Sequence, residues 1–251
     1  MELKNKIAIV TGGSRGIGEQ VCYAYAKEGA TVIVVNKQNS KKTKEVVDAI
    51  TRAGGNADAI SCDVSDEASV NNLVATVIEK YGRIDILFHS AGIVLFKKLE
   101  DHTLEDWRHS INTNLTSAFL LSRATVPLMK TRQYGKLIFV SSVAGSYGFS
   151  DITAYSASKG GLIAFMKSLM VELAPFKINV NCLSPGNVMT DINEKFWRDP
   201  EVITAAKKRT PSGVAYMPPS DIAGAAVFLA SDAANAVHGL DLIVDNALSV
   251  I

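Results

Sequence analysis

Seven short apolar runs, each separated from the next by a stretch with helical periodicity, constrain the fold of this chain most strongly. Strands that alternate with helices are typical of a parallel sheet, because each parallel crossover needs a connection long enough to return the chain. Right-handed crossovers place the helices on both faces of the sheet, so the pattern predicts a doubly wound, seven-stranded α/β fold. The expected strands are Ile7–Val10, Thr31–Asn36, Ala57–Cys62, Ile84–His89, Lys136–Ser141, Ile178–Leu183 and Leu240–Val244.

Residues at the expected helix boundaries support this pattern. Ser40 and Thr103 can cap the second and fourth helices, and Pro219 or Ser220 opens the last one. Gly82 is a suitable helix stop, because glycine accepts the left-handed conformation that often ends a helix.

The composition indicates one globular domain, residues 1–251, of which 47% are hydrophobic. With 26 Lys and Arg against 25 Asp and Glu, the charge balance gives no indication of a nucleic-acid partner or an anionic membrane surface. No apolar run approaches the roughly 20 residues of a membrane span, and the early first strand leaves no room for a signal peptide. The three cysteines lack metal-ligand spacing, so we expect no metal site and reduced core thiols in a cytoplasmic protein.

A glycine-rich turn lies between the first strand and the first helical pattern. Gly12, Gly16 and Gly18 have the spacing G-x-x-x-G-x-G directly after the β-branched run. Glycines let the backbone approach a ligand closely, and the N-terminus of the next helix offers unpaired N–H groups and a positive dipole end. We therefore expect a pyrophosphate at this turn, on the edge where the carboxyl ends of the strands meet. The alternative is a turn without a ligand, which the strand-before, helix-after context disfavours.

A second set of residues points to acid–base chemistry at the same edge. Tyr155 and Lys159 are four residues apart, so on a helix they share one face. A phenol has an unperturbed pKa of about 10, and a neighbouring ammonium favours the phenolate. Ser142 ends a strand and could hold a carbonyl or hydroxyl oxygen beside the phenol, whereas Ser141 should point to the other side of that strand. A Tyr-x-x-x-Lys pair alone is common, and this one gains weight from the glycine turn.

The two motifs together make the chain resemble the short-chain dehydrogenase/reductases almost from end to end. The resemblance also rests on Cys62-Asp63-Val64, Ser90-Ala91-Gly92, Asn112-Thr113-Asn114-Leu115 and Pro185-Gly186-Asn187-Val188-Met189-Thr190. The branch that looks most similar contains 3-oxoacyl-carrier-protein reductases and many sugar, polyol and ketone reductases. The resemblance implies a single-domain Rossmann-type fold and hydride transfer between a nicotinamide dinucleotide and a carbonyl or carbinol carbon.

The resemblance also implies roles for individual residues. Tyr155 would be the general acid in reduction and the base in oxidation, and Ser142 would position the substrate oxygen. Lys159 would hold the nicotinamide ribose, and Asn114 would anchor a water that links this lysine to solvent. The positions implied to bind the dinucleotide are Gly12, Ser14, Arg15, Gly16, Ile17, Gly18, Asn36, Lys37, Asp63, Val64, Ser90, Ala91, Gly92, Tyr155, Lys159, Pro185, Gly186, Val188 and Thr190.

Residues near the end of the second strand favour NADP(H) as the cofactor. A carboxylate there would hydrogen-bond an adenosine ribose and repel a 2′-phosphate, but the position is Asn36, followed by Lys37. Arg15 lies in the glycine turn, close to where the same phosphate is expected. Two cations without a carboxylate favour the phosphorylated nucleotide. NAD(H) is the alternative if both cations are ordinary surface charges.

The stretch 187–219 lacks a strand pattern and is expected to act as a lid over the ligand edge. Its basic run, residues 207–209, is interpreted as a solvated face, with attraction of an anionic substrate as the alternative. The substrate pocket is expected to be mostly apolar. The residues expected to border it are Val94, Leu95, Phe96, Ala144, Tyr147, Phe149, Ile152, Phe196 and Trp197.

Three functions are compatible with the sequence. They are a 3-oxoacyl thioester reductase, a reductase or dehydrogenase of free ketones, sugars or polyols, and a catalytically silent nucleotide-binding regulator. Positions that are basic for carrier docking in the carrier-protein reductases are Gln133 and Phe176 here, and Ile152 replaces a frequent polar amide. These differences argue against a carrier-linked 3-oxoacyl thioester as the substrate, without excluding it. The complete set of catalytic residues argues against the regulator.

The sequence departs from the family pattern in two places. His89 and Ser90 stand where many relatives carry two asparagines, and we expect His89 to be a structural substitution. Residues 245–247, Asp-Asn-Ala, stand where relatives often have a double glycine.

The family resemblance also predicts a homotetramer. The long helices expected at Thr103–Lys130 and Thr153–Leu173 commonly pair across two-fold axes in the family. Leu248, Val250 and Ile251 are apolar at a chain end, where another subunit could bury them. A tail that folds back on its own subunit is the alternative.

Overall fold

The computed structural model, which describes residues 1–38 and 40–250, confirms a single domain built on a parallel seven-stranded sheet. The strand order is β3-β2-β1-β4-β5-β6-β7, so the winding direction changes between β1 and β4. In open α/β sheets, ligands bind at such a switch point, beyond the carboxyl ends of the strands. The strands are β1 Ile7–Thr11, β2 Thr31–Asn36, β3 Asn56–Ser61, β4 Ile86–His89, β5 Gly135–Val140, β6 Ile178–Pro185 and β7 Asp241–Val244.

Helices connect the strands within the described residues. They are α1 Gly16–Lys27, α2 Lys41–Arg52, α3 Glu67–Tyr81, α4 Leu104–Ile111, α5 Ser117–Arg132, α6 Thr153–Leu173, α7 Glu194–Trp197, α8 Pro200–Arg209 and α9 Ser220–Ala230. The predicted boundary residues are confirmed. The Ser40 hydroxyl accepts the Thr43 N–H, Thr103 and Asp106 form a reciprocal capping box, and Gly82 ends α3 with φ +70°.

Strand boundaries differ from the sequence expectation by one or two residues at several ends. The expected start of β4 at Ile84 moves to Ile86 for a specific reason. The Ile7 N–H donates to the carboxylate of buried Asp85 over 2.8 Å, instead of to a backbone carbonyl of the neighbouring strand. A side chain therefore replaces a ladder hydrogen bond at this end of the sheet.

Successive residues of the central strands supply two separate cores, one on each face of the sheet. Ile9 and Leu137 point to the face covered by α3, α5 and α6. Val10 and Ile138 point to the opposite face, which α1, α2 and α9 cover. This alternation follows from the two-residue period of a strand, and burial on both faces explains why the runs are continuously apolar.

A turn of π-helix, Asn112–Thr116, interrupts the long helix expected at Thr103–Lys130. It separates α4 from α5 without ending the helical path. The wider turn holds Asn114 with its side chain fully buried. Single π-turns inside helices are frequent at functional sites.

The β6–α9 connection, residues 187–219, contains α7 and α8. An isolated parallel β-bridge between Val188 and Met217 joins the beginning of this connection to its end. Within the part of the chain that the structure describes, no helix combines the length and apolar character needed to cross a membrane.

Candidate active site

A cavity of about 640 Å³ opens at the carboxyl edge of the sheet, as the strand pattern predicts. The glycine turn after β1, the segments after β4 and β5, the start of α6 and the end of β6 all contribute to its wall. The predicted residues that line it are Gly12, Arg15, Gly16, Ile17, Asn36, Lys37, Asp63, Val64, Ser90, Ala91, Gly92, Val94, Phe96, Ser142, Ala144, Phe149, Ile152, Tyr155, Lys159, Pro185, Gly186, Val188, Thr190 and Phe196.

The glycine turn has the geometry that a pyrophosphate requires. Gly12 and Gly16 have φ values of +66° and +58°, a left-handed conformation that favours glycine. A Cβ atom on Gly12 would lie 3.0 Å from the backbone nitrogen of Ala91. Among the described residues, no side chain caps the first turn of α1, so its N–H groups are available to an anion. The residues present therefore fit the phosphates of a dinucleotide.

Two residues implied as nucleotide contacts, Ser14 and Gly18, are not brought to the cavity wall. The Ser14 hydroxyl is buried and accepts a hydrogen bond of 2.8 Å from the side-chain amide of Asn36. Gly18 packs against Gly12, where an added Cβ would come within 2.3 Å of the Gly12 carbonyl oxygen. Both residues support the glycine turn outside the cavity wall. Ser14 does so by its hydrogen bond, and Gly18 does so because its lack of a side chain allows the close approach of Gly12.

Ser142, Tyr155 and Lys159 meet at the other end of the cavity. Ser142 precedes a short 3₁₀ turn and accepts the Ala144 N–H over 3.1 Å. Tyr155 lies in the first turn of α6, and the Lys159 ammonium lies 5.6 Å from the centre of its ring. The same ammonium donates a 2.7 Å hydrogen bond to the Val140 carbonyl at the end of β5. The lysine is therefore tethered to the sheet while it faces the phenol.

Burial decides the protonation of both groups. It raises the pKa of Tyr155, and the Ser142 hydroxyl offsets only part of that rise. It also lowers the pKa of Lys159 to about 8. The expectation that the ammonium brings the phenol toward its phenolate is thus outweighed by desolvation in this structure. At neutral pH the Tyr155 phenol keeps its proton and can donate it.

Ser141 and Ser142 differ in what occupies their hydroxyl groups. The Ser141 Oγ donates to the Lys159 carbonyl over 3.0 Å and is buried. That contact holds α6 against β5, which gives Ser141 a structural task.

Asn114 lies behind the cavity wall rather than in it. Its Oδ1 accepts the Ile93 N–H over 2.8 Å, and its Nδ2 donates to the Ile93 carbonyl and the Ser158 hydroxyl, both over 2.9 Å. A Cβ on Gly92 would lie 3.2 Å from Asn114 Oδ1 and 3.5 Å from Lys159 Nζ. The π-turn therefore brings the amide close to the lysine, and Oδ1 keeps one lone pair for a further donor.

The cations expected near a 2′-phosphate are paired with carboxylates. Lys37 lies 2.7 Å from Asp63, and together with Ser65 it lowers the pKa of this carboxyl group to about 2. Arg15 lies 3.8 Å from Asp191, a residue of the β6–α9 connection that sequence reasoning did not single out. An ion pair between residues so distant in sequence leaves no local pattern that could have indicated it.

Aromatic and aliphatic side chains line the cavity beyond Tyr155. The rings of Phe96 and Phe196 pack edge to face with centroids 4.7 Å apart. This contact joins the β6–α9 connection to the segment after β4. The lining also includes Asn187, which the 185–190 motif contains but which was given no role, and His109 and Tyr216, which the motifs did not indicate.

Three residues expected to border the pocket are not brought to it. Tyr147 is 43% exposed and faces solvent. Leu95 does not line the cavity, although its two neighbours, Val94 and Phe96, do. Trp197 donates its indole N–H to the Thr190 carbonyl over 2.9 Å, so it stabilises the β6–α9 connection from within.

The two departures from the family pattern have structural explanations. His89 bonds Thr11 through Nδ1 over 2.7 Å and Ser117 through Nε2 over 2.8 Å, and burial lowers its pKa to about 3. The ring is therefore neutral and links β1, β4 and α5. After β7, Asn246 and Ala247 have φ values of +57° and +68°, so the backbone keeps a glycine-like conformation although neither residue is glycine.

Comparison with known proteins agrees with this geometry. The model of the short chain dehydrogenase family matches residues 6–201. A cyclopentanol dehydrogenase of Comamonas sp. is 35% identical over 243 residues, covering 97% of this chain and 96% of the relative. A 3-oxoacyl-[acyl-carrier-protein] reductase of Synechocystis sp. is 37% identical over 236 residues, with 93% and 92% covered.

A solved structure carries a bound nucleotide. It is a proposed NAD(P) dependent gluconate 5-dehydrogenase from Beutenbergia cavernae with NADP bound at low occupancy. Its TM-score is 0.94 at 33% identity, with 100% of this chain and 99% of that chain covered. The chain described here belongs to the short-chain dehydrogenase family. It is an NAD(P)-dependent oxidoreductase that interconverts alcohols and carbonyl compounds, with a nicotinamide dinucleotide as its cofactor.

Proposed function

We propose that this protein interconverts a ketone and a secondary alcohol with NADP(H) as its hydride carrier. One observation carries the proposal. A protonated Tyr155, with Ser142 and Lys159 beside it, lies in the same cavity as a glycine turn flanked by cations. The cofactor supplies or accepts the hydride, and the protein has to orient both reactants and move one proton.

Proton transfer is assigned to Tyr155. The Ser142 hydroxyl holds the substrate oxygen, and the phenol donates its proton to that oxygen as the carbonyl is reduced. In oxidation the phenolate takes the proton back. Lys159 would hold the nicotinamide ribose and, while charged, would stabilise the phenolate that forms. Asn114, next to Lys159, anchors a water that returns protons from solvent.

The remaining contacts follow the two ends of the dinucleotide. Gly12, Gly16 and the N-terminus of α1 would hold the pyrophosphate, because both glycines line the cavity and no described side chain caps the first turn of α1. Asp63 and Val64 would contact the adenine. At the nicotinamide end, the contacts would come from Pro185, Gly186, Val188 and Thr190. The β6–α9 connection, residues 187–219, would act as a lid, and the contact between Phe96 and Phe196 joins it to the segment after β4.

NADP(H) is proposed because cations surround the expected place of the 2′-phosphate. Arg15 and Lys37 line the cavity beside Asn36, and no carboxylate replaces Asn36 at the end of β2. NADP bound to the Beutenbergia cavernae structure adds support. NAD(H) is the alternative, since Asp63 and Asp191 already neutralise these cations in part.

The wall beyond Tyr155 favours a free, uncharged ketone as the substrate. Val94, Phe96, Phe149, Ile152 and Phe196 offer apolar surface there, which suits an aliphatic or cyclic carbonyl compound. The similarity to a cyclopentanol dehydrogenase supports this choice. A 3-oxoacyl thioester is the second candidate, favoured by the similarity to a carrier-protein reductase. Sugars and polyols are a third candidate, since His109, Asn187 and Tyr216 add polar groups to the lining.

A substrate panel tests the proposal directly. NADPH oxidation is followed with cyclopentanone, acetoacetyl thioester and a set of sugars, using the Tyr155→Phe variant as the matched control. We expect turnover with the cyclic ketone that the variant lacks. Faster turnover of the thioester would select the second candidate, and nucleotide binding without any turnover would select the silent regulator.

Assembly as a homotetramer in the cytoplasm completes the proposal. Exposed apolar residues on α4, α5 and α6, namely Leu104, Trp107, Phe119 and Val171, offer surface that further subunits could cover. Val250 is also exposed, and Ile251 lies outside the described residues. The three buried, free cysteines fit a reducing compartment. Light scattering should give four times the chain mass, and a monomer at micromolar concentration would exclude the tetramer.

A further inference from the structure

The carboxylate of Asp191 connects the β6–α9 connection to two cations on the nucleotide side of the cavity. Its Oδ2 lies 3.0 Å from the Lys42 ammonium and 3.8 Å from the Arg15 guanidinium. Lys42 belongs to the first turn of α2, and Arg15 belongs to the glycine turn. One acidic side chain therefore lies between two cations, and one of them, Arg15, lines the cavity close to where a 2′-phosphate is expected.

The local fold of the connection does not depend on this carboxylate. Asn193 accepts the Thr190 N–H over 3.2 Å and donates its amide to the Val188 carbonyl over 2.9 Å. The Trp197 indole donates to the Thr190 carbonyl. These bonds fix the turn around Asp191 through its neighbours, so the contacts of Asp191 serve the two cations.

The ion pairs of Asp191 are also easy to exchange. All three side chains are about half exposed, with side-chain exposures of 46% for Asp191, 59% for Arg15 and 60% for Lys42. Exposed pairs contribute only about 0.2–1 kcal/mol each, because water screens them. A phosphate offers more acceptor oxygens and a higher charge than a carboxylate, so it binds a guanidinium and an ammonium more strongly.

We propose that Asp191 is a specificity-determining residue that competes with the 2′-phosphate of NADP(H) for Arg15 and Lys42. The inference rests on the nucleotide-binding function proposed above. NADP(H) must displace the carboxylate, which releases the β6–α9 connection from α2 and the glycine turn. NAD(H) carries no such phosphate and leaves the pairs of Asp191 in place. Asp191 thus reduces the preference of the protein for NADP(H) over NAD(H). It also makes the position of the β6–α9 connection depend on which of the two nucleotides is bound.

The test compares Asp191→Asn with Glu194→Gln, titrating NADPH and NADH by fluorescence at low ionic strength. Glu194 is a matched control, because it lies on the same connection and pairs over 2.6 Å with Arg198, the residue that follows its own helix. Each variant removes one negative charge. We expect Asp191→Asn to tighten NADPH about two- to tenfold, as loss of one or two exposed pairs allows. NADH affinity should change less than about twofold, as should both affinities in Glu194→Gln.

A second variant separates competition from a general charge effect. Lys42→Gln should weaken NADPH more than NADH, and combining it with Asp191→Asn should reduce the gain, since both act on one site. Independent, additive effects of the two substitutions would contradict the competition.

Contrary results are equally definite. Weaker binding of both nucleotides to Asp191→Asn would mean that the carboxylate only supports the connection. Equal behaviour of Asp191→Asn and Glu194→Gln would overturn the competition while leaving the proposed function intact. Failure of the unaltered protein to bind either nucleotide would instead overturn the proposed function.

Discussion

The buried side chains of Lys159 and Lys136 lie at opposite ends of strand β5, Lys159 reaching it from α6. Their comparison shows that a perturbed pKa alone does not identify a functional group. Lys159 reaches the carboxyl end of β5 and donates to the Val140 carbonyl. Lys136 lies at the amino end and donates to the side-chain oxygens of Asn179 and Asn235 over 2.9 Å and 2.7 Å. Burial lowers the pKa of each to about 8.

Their surroundings separate the two lysines. Lys159 lines an open cavity with a phenol and a hydroxyl group beside it, whereas Lys136 is 1% exposed and enclosed by amides that satisfy it. Parallel strands direct ligands to their carboxyl ends, so only one end of β5 can meet a substrate. A perturbed group becomes a functional candidate when it also has access to a reacting atom.

The largest expected effect removes the proton donor beside Lys159. Tyr155→Phe deletes one hydroxyl and should lower kcat by about 10²–10⁴-fold, the usual contribution of a general acid or base. Nucleotide affinity should remain close to that of the unaltered protein, because the ring still fills its place. Steady-state kinetics with NADPH measure kcat, and fluorescence titration measures the nucleotide affinity. Near-normal turnover would show that another group supplies the proton.

Replacing the other lysine should change stability instead of activity. Lys136→Met leaves the carboxamide oxygens of Asn179 and Asn235 without their buried donor, so the free energy of unfolding should fall by about 1–3 kcal/mol. Denaturant titration measures the change, and kcat should stay within about twofold, because Lys136 lies away from the cavity.

A surface lysine at the same end of the sheet provides the control. The exposed Lys4 should tolerate Lys4→Met within about 0.5 kcal/mol. A large loss of kcat in Lys136→Met, at temperatures where the variant stays folded, would remove the distinction between the two ends of β5.

Of these two lysines, only the position of Lys159 could be predicted from the local sequence pattern. The period of the strands, the glycine turn and the spacing of Tyr155 and Lys159 are enough to place these two side chains at the cavity beyond the carboxyl edge of the sheet. The burial of Lys136 was not predictable, because a lysine in an apolar run gives no sign of the amides that enclose it. Asp191 was missed for a similar reason, since its partners lie far away in sequence.

Finer details of the site also depended on side-chain direction. Trp197, in the stretch expected to act as a lid, was predicted as a pocket residue, but its indole N–H donates to the Thr190 carbonyl and supports the connection from within. Burial likewise reversed the expected effect on the pKa of Tyr155, because desolvation depends on neighbours from several elements. Such contacts are set by packing rather than by spacing.

The pH dependence of nucleotide binding should distinguish the two lysines within one experiment. The pKa of Lys159 is lowered to about 8, so its ammonium is present below that pH and is lost as the pH rises through it. We therefore expect NADPH affinity to decrease between pH 7 and 9, because the ribose loses a charged donor. Lys136→Met should keep this inflection, and Lys159→Met should flatten it. An unchanged inflection in Lys159→Met would assign the titration to another group.

The smallest expected effect concerns backbone strain at the carboxyl edge, where Ala247 has φ +68°. A left-handed conformation costs a residue with a Cβ atom about 1–2 kcal/mol, whereas glycine adopts it freely at a cost in unfolded-state entropy of about 0.4–1 kcal/mol. Ala247→Gly should therefore raise the free energy of unfolding by roughly 0.5–1 kcal/mol, with unchanged kcat.

The neighbouring residue offers a matched control for this change. Asn246→Gly should have a smaller effect, because asparagine tolerates φ +57° through its short polar side chain. Paired denaturant titrations of the two variants and the unaltered protein measure the difference. Destabilisation by Ala247→Gly would mean that the Ala247 methyl group contributes packing that exceeds its strain. In that event, side-chain contacts would stabilise the carboxyl edge of the sheet by more than the left-handed backbone of Ala247 destabilises it. The amino edge around Lys136 is likewise stabilised by side-chain contacts.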